Sequence, residues 1–130
     1  MTASETVRVG SANGQRGESI VLPIEIQPES PIVGVQFMIR YAPEQVTCGA
    51  PGVSSSASDH VASSDDNRTG RRAVVIYSPT NEILPDDFSL SVPLALSDTS
   101  PTGGPSVLLE GMIFTDAGGG VYTDRTTYAR

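Results

Sequence analysis

From Phe88 to Leu96 the chain alternates without a break, with Phe88, Leu90, Val92, Leu94 and Leu96 on one parity and Ser89, Ser91, Pro93 and Ala95 on the other. A period of two held this long puts every large apolar group on one side of an extended strand, and a helix cannot do the same. Residues 20–26 repeat the pattern, with Ile20, Leu22, Ile24 and Ile26 set against Val21, Pro23 and Glu25. Each such strand has one face to bury, so a second layer must cover it. Composition supports the same chemistry. There are 13 valines and 8 isoleucines against 7 leucines, joined by 11 threonines, and 13 glycines and 10 prolines punctuate many short turns. The class is all-β.

The same reading along the chain predicts strands at Thr6 to Gly10, Val33 to Tyr41, Gln45 to Cys48, Arg71 to Tyr77, Val107 to Phe114 and Val121 to Tyr128. Pro23 cannot donate to a ladder, so its strand is expected at an edge or with a bulge. Ser54 to Gly70, serine-rich and aperiodic, is expected to be a mobile loop holding at most a short strand. A chain of 130 residues suits one domain. The expectation is a single-domain β-sandwich over 1–130, with about nine strands and jelly-roll topology.

Several functions are disfavoured early. No apolar run is long enough for a membrane-spanning helix, and residues 1–30 lack the pattern of a signal peptide. The net charge of −7 is the wrong sign for nucleic acid or anionic lipid. One cysteine, Cys48, allows no internal disulfide and reads as a small buried hydrophobe beside Val46. His60 lies in the serine-rich segment, where a solvated ring is a simpler reading than a catalytic base, which needs an orienting acid on a rigid frame. Asp65-Asp66-Asn67 lacks EF-hand spacing and reads as a solvated turn, while Asp116 ahead of three glycines reads as a turn former. Asp65-Asp66 and Asp86-Asp87 offer no cleft between paired carboxylates. No enzyme, cofactor or metal site is expected.

The strands at 33–41, 72–78 and 107–114 carry apolar groups on both faces. If Val35, Phe37, Ile39 and Tyr41 point inward, then Gly34, Gln36, Met38 and Arg40 point out. Either Val74 and Ile76 or Val75 and Tyr77 must also point out, and so must one of Leu108/Met112 or Leu109/Ile113. Placed in one sheet, these strands would expose an apolar patch with a polar border, the pattern of a protein–protein site.

Val7-Arg8-Val9-Gly10-Ser11-Ala12, Gly17 to Ile24 with its proline, Gly34 to Pro43, and Phe114-Thr115-Asp116-Ala117-Gly118-Gly119 together resemble the cohesin modules, β-sandwich receptors for dockerins in cellulosome-type assemblies. Ala42 stands where the family has an aspartate, and Asp86-Asp87 where many members have Asp-Gly. The resemblance implies a non-catalytic, monomeric, extracellular or cell-surface module that binds a dockerin on one flat sheet face and contacts neither nucleic acid nor membrane. Calcium would belong to the dockerin. Carried over by position, the partner-binding residues would be Gly34, Gln36, Met38 and Arg40, then Val74, Ile76 and Ser78, then Ile83 and Leu84, and finally Leu108, Glu110 and Met112. Two other readings compete: a carbohydrate-binding module, for which Tyr77, Tyr122 and Tyr128 are the free aromatics, and a structural or adhesin domain without a ligand.

Overall fold

The computed structural model describes residues 6–10, 14–28, 31–54, 60–68, 70–98, 107–124 and 128–129. Among them are β1 (Thr6–Val9), β2 (Ser19–Gln27), β3 (Ile32–Tyr41), β4 (Val46–Cys48), β5 (Gly52–Val53), β6 (Val61–Arg68), β7 (Arg71–Tyr77), β8 (Ser89–Leu96), β9 (Val107–Asp116), β10 (Val121–Asp124) and β11 (Tyr128–Ala129). One antiparallel sheet runs β1-β2-β8-β4, with β5 also on β8, and the other runs β10-β9-β3-β7-β6, with β11 also on β9. The chain passes repeatedly from one sheet to the other, as a jelly-roll sandwich requires.

The alternating strands behave as their period dictates. Leu22, Ile24 and Ile26 of β2 and Leu90, Val92, Leu94 and Leu96 of β8 are buried, and they meet Val35, Phe37 and Ile39 of β3 in one core. Burying a side chain of this size contributes roughly 1.5–3 kcal/mol, so the shared core holds the two sheets together. Cys48 is buried beside Val46 within it.

Pro23 is not in an edge strand, since β2 lies between β1 and β8. It falls just past the last residue of β1, where Val9 pairs with Ile24, and its carbonyl accepts from Gly10 N at 2.8 Å. Pro93 repeats the device on β8, in the gap between the stretches paired with β4 and β5, and accepts from Gly49 N at 2.8 Å. A Cβ on Gly49 would stand 2.8 Å from Pro93 Cγ, so only glycine fits. Each proline sits where a neighbouring strand stops, and no ladder bond is lost.

Ser54 to Gly70 departs from expectation. Residues 61–68 form a full strand, β6, paired with β7 at the edge of the second sheet. An edge strand needs a single neighbour and tolerates polar side chains, which hides it from a search for apolar alternation. Among its described side chains the half-buried ones are Ala62 and Ser64, and Arg72 Nη1 donates to Ser64 Oγ at 2.9 Å. Asp65 therefore stands in a strand, not in a solvated turn. Of the expected last strand, Val121 to Tyr128, the described residues form β10 and β11, both paired with β9, and 125–127 lie outside the described residues.

Two bulges set side-chain phase. In β3, Ile32 pairs with Asp116 and Gly34 with Thr115, so Val33 is extra and both Ile32 and Val33 are buried. In β9, Glu110 pairs with Met38 and Ile113 with Gln36, leaving Gly111 and Met112 opposite Phe37 alone. Gly111 has φ 67°, which a β-branched residue scarcely adopts. Nothing lies within 4 Å of a Cβ placed there, so a substitution meets only backbone strain. Gly111→Val should lower stability by about 1–3 kcal/mol in urea denaturation. Gly52→Val, in equally open space without a positive φ, should be close to neutral.

Candidate functional site

The outer face of the second sheet is built by cross-strand rows, because antiparallel partners point to the same side. One row reads Thr123, Ile113, Gln36, Val75 and Ser63 across β10, β9, β3, β7 and β6. The next reads Glu110, Met38, Ala73 and Asp65. A third places Leu108 opposite Arg40 and Arg40 opposite Arg71. At the other end, Thr115 pairs with Gly34 and with Val121, and Tyr77 pairs with Val61. Val75, Tyr77 and Val61 are 41%, 43% and 41% exposed, so the β7–β6 side of the face presents bare apolar surface.

The face is not flat. A groove of about 600 Å³ opens over Met38, where the small residues Ala73 and Gly111 flank it and Gln36, Val75, Thr123, Glu110 and Arg71 rise around it. A second hollow of about 180 Å³ lies at Gly34, between Tyr77, Ser78 and Thr115. Arg40 Nη1 stands 3.4 Å from Glu110 Oε2, a solvent-exposed pair at the groove's margin that holds the two side chains in register more than it stabilises the fold.

The sequence placed β3 correctly: Gly34, Gln36, Met38 and Arg40 all lie on this face, as do Leu108 and Glu110 of β9. Four other expected positions are corrected. Val74 and Ile76 are buried, because they pair with the inward Phe37 and Val35; their outward neighbours are Ala73, Val75 and Tyr77. Met112 is buried because the Gly111 bulge turns it inward and turns Ile113 out. Leu84 is buried, with its N–H donating to Ile32 O at 2.7 Å, whereas Ile83 is 54% exposed. The Ser78 hydroxyl accepts from Glu82 N at 2.9 Å and serves its own turn. Ala73 and Thr123 went unrecognised, and Val75 and Ile113 stood only as the alternatives to the positions chosen. The apolar run of β7 carries no phase, and only the cross-strand register supplies one.

Asp116 fixes the turn that returns β10 to this sheet. Its Oδ1 accepts from Gly120 N at 2.7 Å and Gly118 N at 3.0 Å, and its Oδ2 accepts from the Tyr122 hydroxyl. The Tyr122 hydroxyl, then the Gly120 N–H, hold the carboxyl below the usual aspartate range. The turn-former reading is borne out.

His60 is buried, 4% exposed, rather than solvated. Its ring lies tilted against Phe88 at a centroid distance of 6.5 Å, and neither ring nitrogen has a hydrogen-bond partner. A base needs an orienting acceptor and a nucleophile in reach, and here the imidazole fills core volume instead. Among the described residues no group of three or more His, Cys, Asp or Glu could hold a metal ion.

Compared with known sequences, the chain matches no protein-family model and no curated protein. Among solved structures it is similar to the cohesin module of a family 33 glycoside hydrolase from Clostridium perfringens, with TM-score 0.79 and 12% identity, covering 99% of this chain and 93% of that one. It is also similar to the sixth cohesin of scaffoldin B from Acetivibrio cellulolyticus, solved in complex with a Cel5 dockerin, with TM-score 0.78, 16% identity and 96% of each chain covered. A type I cohesin from Clostridium thermocellum, also solved in a dockerin complex, has TM-score 0.75, 14% identity and 96% of each chain covered. The fold is the cohesin fold.

Two measurements check the local chemistry. A carboxyl whose folded-state value is depressed stabilises the fold above the ordinary aspartate range and loses that contribution as pH falls through the folded value. Chemical denaturation should therefore find Asp116→Asn less stable than wild type at neutral pH, with the gap closing in strong acid. His60→Leu should gain about 1 kcal/mol at pH 7, because it removes two buried polar atoms that bond to nothing.

Proposed function

We propose that this chain is a non-catalytic, monomeric adhesion module that captures a dockerin through the outer face of the β10-β9-β3-β7-β6 sheet. It would work as part of a larger secreted protein, at the cell surface or beyond it. The observation that carries this reading is the apolar centre formed by Met38, Ala73, Val75 and Ile113, which lies open around a groove within a polar border. Two of the similar cohesins were solved with dockerins, which supports a helical partner of that kind.

The mechanism is adhesion by a prepared surface. Side chains on a paired sheet are already ordered, so docking costs little additional entropy. Met38 adapts its shape to an incoming apolar group, and Val75, Ile113 and Tyr77 supply area to be desolvated. Gln36, Glu110 and Thr123 stand at the margin, where hydrogen bonds select register. An interface of roughly 1,600 Å² would be standard for a face of this kind. Calcium would act on the dockerin, ordering its loops. The carbohydrate reading loses support, since Tyr122 and Tyr128 pack against the core and only Tyr77 remains as an exposed ring.

A panel of dockerins titrated against the chain should yield a calcium-dependent complex that a chelator dissolves. Met38→Asp and Val75→Asp should each weaken it about a hundredfold, roughly 2.7 kcal/mol, with the unfolding midpoint retained. Ile76→Asp should instead unfold the domain, because it buries a charge in the core. Silence across the panel, or wild-type affinity in both surface variants, would rule out this face as a dockerin receptor.

A further inference from the structure

The chain has eight arginines, no lysine and a net charge of −7, and two of the arginines, Arg40 and Arg71, meet at one end of the open face. Arg40 stands directly opposite Arg71, and Arg71 directly opposite Arg68, so register puts three arginines in one cross-strand row. Like charges directly opposite destabilise a sheet, so such a row weakens the free domain. Arg40 is answered by Glu110 at 3.4 Å. Arg72, next in sequence, is committed elsewhere, with Nε donating to Cys48 O at 3.1 Å and Nη1 to Ser64 Oγ.

Arg71 differs from both. It is half-buried at the groove, and among the described residues no hydrogen bond or ion pair engages it. Among the described side chains the other acid on this part of the face is Asp65, exposed opposite Ala73 and making no ion pair with it. At the far end of the face the described residues Val121, Thr115, Gly34, Tyr77 and Val61 are uncharged. The surface is therefore electrostatically polar from end to end.

We infer that the arginine end receives an acidic residue of the docked helix, with Arg71 as its direct contact, and that this contact fixes the direction in which the partner lies across the sheet. The inference rests on the docking reading above and adds the partner's chemistry to it: a helix with Asp or Glu at one end and aliphatic groups over Met38. A guanidinium at the border of a desolvating groove, with donors in a fixed fork, suits a carboxylate better than any neutral group. Charge matching of this kind acts on register and association rate and weakens with salt.

The test uses the intact chain and calcium-loaded dockerins, titrated at about 50 mM and about 500 mM salt, on either side of the range where surface charges are screened. Wild type should bind less tightly at high salt. Arg71→Glu should bind at least tenfold more weakly at low salt although its unfolding midpoint is no lower than that of wild type, since an acid opposite Arg40 relieves like-charge repulsion, and Arg71→Ala should fall between them. Val21→Glu, on the outer face of the opposite sheet, should bind as wild type does. Changing the partner's acid to arginine should restore binding to Arg71→Glu. If a dockerin binds wild type and Arg71→Glu equally well, the inference is wrong while the docking reading stands. If no dockerin binds wild type, both fall together.

Discussion

β3 is the strand on which the rest of the sheet depends. It lies at the centre of its sheet, bonded along nearly its whole length to β7 on one side and β9 on the other. Its inward residues Val35, Phe37 and Ile39 are closed into the core, and a shift of one residue would exchange them for Gln36, Met38 and Arg40. Burial therefore fixes its phase, and its phase fixes both neighbours through direct pairing. Which residues of β7 and β9 reach solvent is decided by β3 and by the two bulges that interrupt its pairing with β9.

That dependence explains what could be read in advance. β2, β3 and β8 were legible because strict alternation leaves one sensible burial pattern. β7 was legible as a strand but not in phase, since Ala73-Val74-Val75-Ile76-Tyr77 is apolar at every position. Its orientation comes from Phe37 and Val35 across the ladder, a long-range fact absent from the local sequence. In β9, a parity rule applied across Gly111 assigns Met112 to the wrong side, because the bulge exchanges parity at that point. The one available signal was the glycine itself, which within a strand often marks a bulge. β6 was hidden for another reason: its partner supplies the ladder and its side chains supply almost no core. His60 followed β6 into error, since a polar neighbourhood in sequence says little about where a ring packs.

The likeness to cohesins and the geometry of the face bear on function from different directions. At 12–16% identity the likeness fixes the backbone arrangement, while side chains decide what the face can hold. The groove over Met38 arises from local choices, namely a small residue at Ala73, a bulge at Gly111 and an adaptable thioether between them. At the groove's border Arg40 is engaged by Glu110, while Arg71 beside it has no side-chain partner among the described residues.

The β6 border of this sheet has a further consequence. That strand, Val61–Arg68, reads Val-Ala-Ser-Ser-Asp-Asp-Asn-Arg and is rich in serine and aspartate. It does not offer the long, greasy template on which a second chain could add itself by β-augmentation or begin a fibril. At this border the sheet can thus leave its broad side uncovered without inviting strand addition.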